Sequence, residues 1–184
     1  MDVGEKFLLI VKQHNTRWHV GYGEVTPFFD NGYACVAHKQ YLAACLCFVT
    51  GIEMSLRLPL LLEKGKDLRD AWNPKGSAVP LLENSLLLLA KDLGLPVEIL
   101  RYSSEKDEVA FMGKLHGSDH ASRARIVRLR NNICHGNLNI FVTEHEEGAR
   151  IPTSDIEDEA RELERIALAW AVAYGRWRDS VETA

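Results

Sequence analysis

The stretch Ser154–Arg178, SDIEDEARELERIALAWAVAYGRWR, decides the fold. Ser154 followed by Glu157 is a capping box, in which each side chain satisfies a backbone N–H left free at a helix start. Ile156, Ala160, Leu163, Ala167, Trp170, Tyr174 and Trp177 then recur in alternating steps of four and three residues. Such a seam predicts a helix to about Arg178, packed into a helical bundle or against a second helix in a dimer.

Outward from that helix, Asn137–Glu144 alternates Leu138, Ile140 and Val142 and runs into Glu-Glu-Gly, the pattern of a small β-hairpin. Before it stands Gly117–Leu138, GSDHASRARIVRLRNNICHGNL. Here Ser118 or Asp119 can cap a helix, Ile126, Leu129 and Ile133 form its buried stripe, and Gly136 suits the left-handed residue that ends it. A short helix is expected over Lys106–Leu115. Another is expected from a Ser77 cap, with Pro80 in its first turn, Leu81, Leu82, Leu86, Leu89 and Leu93 along it, and Gly94 and Pro96 as its stop. Ala34–Leu58 reads as one long apolar helix that Pro59 kinks or ends. His14–Gly32 and Lys64–Ser77 read as loops, and Glu5–Gln13 as a helix in preference to a strand. The fold class is therefore all-α: a bundle of four or more helices with a small β-hairpin after the motif helix, in one domain spanning 1–184.

Bulk properties narrow the function classes. The chain has 184 residues, 46% hydrophobic and 26% charged, with a formal net charge of -4. That balance excludes a protein that coats nucleic acid indiscriminately, so any contact with a phosphate backbone must be local. The charge is uneven: Gly117–His135 carries Arg123, Arg125, Arg128 and Arg130 against Asp119 alone, while Glu144–Glu164 is strongly acidic. Cys35, Cys45, Cys47 and Cys134 show neither a CxxC pair nor a disulfide framework. With acids where a secretion signal carries bases, and an apolar run Tyr41–Val49 too short to span a bilayer, the expectation is a cytoplasmic protein with no membrane partner.

The chemistry concentrates on Arg130 and His135. On an ideal helix these positions lie about 140° apart with about 7.5 Å of rise, so they cannot meet side by side. They can cooperate if the helix stops at Gly136 and frees His135, or if a second copy of the helix crosses the first on a two-fold axis. Asn131, four residues before His135, could orient its ring, and Arg128, seven before it, lies on the same face. Glu53, the one acid inside the apolar helix, either pairs with Arg57 four residues on or turns inward to hold an arginine of the site. A histidine beside fixed guanidinium groups suits attack of an RNA 2′-hydroxyl on its own phosphate, with the arginine bracing the charge that builds. His116-Gly-Ser-Asp-His120 fits a loop-to-helix junction better than a metal site, because no third and fourth ligand is in view. No P-loop, dinucleotide fingerprint or Ser-His-Asp order is present, so no cofactor and no metal is expected.

Arg130-Asn131-Asn132-Ile133-Cys134-His135-Gly136 resembles the signature of the HEPN superfamily (higher eukaryotes and prokaryotes nucleotide-binding), an arginine four to six residues before a histidine at a helix end. The resemblance is close over about 10 residues. It implies an all-α bundle, a homodimer with both motif helices at the interface, and metal-independent endoribonuclease activity on an RNA substrate. Many members with this motif are bacterial toxins or defence proteins, which admits a separate antitoxin protein as partner. By that carry-over Arg130 and His135 are catalytic, Asn131 positions them, and Glu53 supports the arginine. The alternative is a non-catalytic module of the same fold that binds nucleotide, RNA or protein.

Overall fold

A computed structural model of the chain describes residues 25–64, 79–105, 107–117, 122–137, 143–145, 148–150 and 153–182. They form α1 (Thr26–Ala37), α2 (Tyr41–Glu63), α3 (Asn84–Asp92), a 3₁₀ turn (Val97–Leu100), α4 (Glu108–Leu115), α5 (Arg125–Cys134), β1 (Thr143–His145), β2 (Gly148–Arg150) and α6 (Thr153–Glu182). The protein is thus an all-α bundle with one two-stranded antiparallel hairpin after α5, paired Thr143 to Arg150, Glu144 to Ala149 and His145 to Gly148. Leu138, Ile140 and Val142, the Glu5–Gln13 helix, most of the Lys64–Ser77 loop and the caps expected at Ser77, Ser118 and Asp119 lie outside the described residues.

The centre of the bundle is α2, which touches α1, α3, α5 and α6. Every residue from Gly51 to Leu61 is buried. Enclosure of that kind explains why the helix runs through Pro59 to Glu63: neighbours hold the backbone even though Pro59 has no N–H to give the Ser55 carbonyl. By length and composition α2 could cross a membrane, yet 72% of its most apolar window is buried inside the protein, the position of a core helix. Across the centre, Trp170 Nε1 of α6 donates to Ser55 Oγ at 2.7 Å, and Ser55 Oγ donates to the Ile52 carbonyl at 2.8 Å. Indole and hydroxyl thereby satisfy one another where water is excluded.

The sequence reading needs three corrections. First, residues expected to be loop form α1, with Pro27 in its first turn, where a missing N–H costs nothing. Gly32 sits inside this helix rather than in a turn, because a Cβ there would lie 2.6 Å from the Phe48 ring. Second, Ala34–Leu58 is not continuous: the chain breaks at His38–Gln40, where Lys39 takes a φ of 58°, and α2 starts at Tyr41. Third, α3 starts at Asn84, and its buried stripe is Leu86, Leu87 and Ala90 while Leu89 is exposed. The α6 seam is filled by its own chain: Ala160, Leu163, Ala167, Trp170 and Tyr174 are fully buried, so of the two expected settings it is the bundle that this seam serves.

A further junction fixes the approach to α5. Asn84 gives its side-chain N–H groups to the Lys114 carbonyl at 3.0 Å and the Ser122 carbonyl at 3.1 Å, and its Oδ1 accepts from the Ala124 N–H at 3.1 Å. Gly117 comes so near Ser122 that a Cβ on it would lie 2.1 Å from the Ser122 Cβ.

Candidate functional site

α5 begins without a side-chain cap from its own N-cap residue, Ala124. Its first donors are satisfied from elsewhere: the Arg125 N–H reaches Glu105 Oε1 at 3.1 Å, and the Ala124 N–H reaches Asn84. Glu105 is buried, and its other carboxylate oxygen accepts from the Tyr102 N–H at 3.1 Å. A carboxylate at a helix N-terminus also complements the partial positive charge there. The cap expected from Ser118 or Asp119 is thus supplied by a residue twenty positions before the helix. No local pattern announces it.

At the other end, the Asn137 N–H bonds the Asn132 carbonyl at 2.8 Å and the Gly136 N–H bonds the Ile133 carbonyl at 3.2 Å. Gly136 has a φ of 67°, the left-handed value that glycine adopts at least cost. This crossed pair of bonds is a Schellman stop. His135 is the last half-helical residue, exposed, with no side-chain hydrogen bond among the described residues.

Between the two ends, the arginines divide. Arg125 bonds Glu159 and Ser104 and lies over the Tyr102 ring, 5.0 Å from its centroid. Burial works against its charge, but the Glu159 contact outweighs this and raises its pKa. Its role is to tie α5 to α6. Arg130 points toward α2. Its Nε donates to Glu53 Oε2 at 3.0 Å, each side chain 12% exposed, and its NH1 donates to Asn131 Oδ1 at 3.2 Å. Glu53 Oε1 meets Arg57 NH1 at 3.9 Å. One inward-turned acid therefore serves both alternatives raised by the sequence. Burial pulls the Arg57 pKa down and nearby Arg130 adds to the fall, while Glu53 opposes it.

Arg128 and His135 lie on the other side. Taken around the helix, Ile126, Leu129, Arg130 and Ile133 form the inward face, and Arg128, Asn132 and His135 the outward one. The structure thus brings Glu53, Arg130 and Asn131 together, places Arg128 on the face of His135, and leaves Arg130 and His135 of one chain pointing apart. The Asn131 side-chain oxygen accepts from Arg130 and its backbone carbonyl accepts from the His135 N–H at 3.0 Å, so the expected contact with the imidazole is absent. Among the described residues no cluster of three His, Cys, Asp or Glu could hold a metal.

Comparison of the chain with protein-family models, with curated proteins and with solved structures gives no match.

Proposed function

We propose that the protein is a metal-independent endoribonuclease of HEPN type, acting as a homodimer in the cytoplasm as a bacterial toxin or defence protein. The observation that carries this reading is the pairing of a clamped arginine with a freed histidine on one ten-residue helix: Arg130 held by Glu53 at 3.0 Å, His135 exposed at a Schellman stop. Fixed guanidinium donors cost little reorganisation when charge builds on a phosphate, and an imidazole at a helix end can reach substrate. Because the two side chains of one chain diverge, a shared cleft requires a second copy of α5 across a two-fold axis. In the reaction, one imidazole takes the proton of a 2′-hydroxyl and the 2′ oxygen attacks the adjacent phosphorus. The bond to the 5′ oxygen breaks, and that oxygen receives a proton from a protonated imidazole. The products are a 2′,3′-cyclic phosphate and a 5′-hydroxyl end.

One observation favours a second reading. Glu53 and Asn131 occupy two of the three guanidinium nitrogens of Arg130, which is also what a structural strut would show. The fold would then be a non-catalytic module for nucleotide, RNA or protein. Purified protein incubated with RNA in EDTA separates the two. The nuclease reading expects cleavage that falls at least ~100-fold in His135→Ala, the range of a lost general acid–base. Cleavage that persists in His135→Ala overturns the assignment, and intact RNA recovered from a saturable complex supports the module. Slowed growth of a bacterial host on expression of the wild type, but not of His135→Ala, would support the toxin role.

A further inference from the structure

Of the four arginines in the motif segment, Arg125 is committed to Glu159 and Arg130 to Glu53. Arg128 sits on the helix between them, half-buried, and has no ion pair among the described residues. Its Nε is shut off from water and has no hydrogen-bond partner. Its terminal nitrogens are not shut off in this way and hold no hydrogen bond among the described residues, so the guanidinium charge stands ready for an anion. Arg128 precedes His135 by seven residues, close to two full turns, so both project from the same face with about 10.5 Å between their backbone positions.

We infer that Arg128 is an anion subsite that takes a phosphate of the same RNA strand whose scissile phosphate lies at His135. The inference rests on the nuclease reading above and adds a direction to it, with the strand running along the outward face of α5. A separation of about 10.5 Å is too great for one phosphate to span, so Arg128 meets a phosphate beyond the scissile one. The two terminal nitrogens form the two-pronged donor pair that matches two phosphate oxygens. The task of Arg128 is strand binding, while charge at the reacting phosphorus falls to Arg130.

The test is equilibrium binding of a fluorescent single-stranded octaribonucleotide, methylated on every 2′ oxygen so that it cannot be cut, at salt concentrations from 50 to 200 mM. Losing one single-strand phosphate contact makes the plot of log affinity against log salt shallower by about 0.7. Arg128→Gln should show that change, and over this fourfold salt range its affinity should fall ~2.6-fold less than that of the wild type. Arg128→Lys, which keeps the charge, should restore the wild-type slope, a recovery that a purely structural role would not produce. An unchanged slope in Arg128→Gln, with the wild type binding normally, overturns the subsite alone. Failure of the wild type to bind RNA at all overturns the nuclease reading and the subsite with it.

Discussion

Glu53 shows how much one carboxylate can hold in a low-dielectric interior. Its two oxygens divide between Arg130 and Arg57, whose side chains are 12% and 4% exposed. Removing one partner of a buried ion pair leaves uncompensated charge, so Glu53→Ala should destabilise the fold by ~3 kcal/mol or more in urea unfolding at neutral pH. If that cost arises from Arg130, it should shrink by ~1 kcal/mol or more in an Arg130→Ala background; additive losses would show that the two side chains are not energetically coupled. Sequence alone made Glu53 conspicuous as an isolated acid in an apolar run. It could not choose between Arg57 and Arg130, because helix spacing reveals a neighbour four residues on and says nothing of one 77 residues away. Asn131 was harder to place still: a carboxamide between Arg130 and His135 can serve either, and only the rotamer decides.

At the scale of elements, the stop of α5 was legible and its start was not. A glycine after a helical stripe is a local signal, and Gly136 does adopt the left-handed conformation that ends the helix. Nothing lies within 4 Å of a Cβ built at Gly136, so Gly136→Ala meets only the backbone penalty, ~1 kcal/mol by thermal or urea unfolding. Gly136→Asn should cost less, since asparagine tolerates that conformation better. If His135 is catalytic, Gly136→Ala should lower cleavage more than the fraction unfolded can explain; equal losses would separate the stop from the chemistry. The start depends on Glu105 and Asn84, which neighbour α5 only once the bundle has formed. Similarly, Asn31-Gly32 has the composition of a turn, yet the glycine is there to clear a ring from α2. Local chemistry and tertiary crowding can demand the same residue, and the sequence does not say which.

For the molecule as a whole, the long period of α6 identified the bundle because a seam that regular has only to find a core, and the core is this chain's own. α6 also carries the charges that set the response to acid. Burial works to raise the pKa of Glu162, but the Ser103 N–H and hydroxyl, together with Arg165, outweigh it and hold that pKa below its ordinary value. A carboxyl lowered in the folded state contributes stability in full above its unfolded pKa of about 4.3 and loses it as pH falls through the folded value. The wild type should therefore lose stability faster than Glu162→Gln below about pH 4, read as urea midpoints from pH 6 to pH 3; parallel curves would remove Glu162 from the account.

The Asn84 junction bears on how such a protein can be altered. One carboxamide ties the end of α4 to the start of α5, and Gly117 nearly touches Ser122, so the two helices are joined at a closed base. Lengthening a loop adds only ~0.6 kcal/mol of closure entropy per doubling. Extra sequence spliced in there would hang from a hinge pin already locked on both sides, and α5 would not register its length. An epitope or a reporter inserted between Gly117 and Ser122 should therefore leave the helix that carries Arg130 and His135 in register.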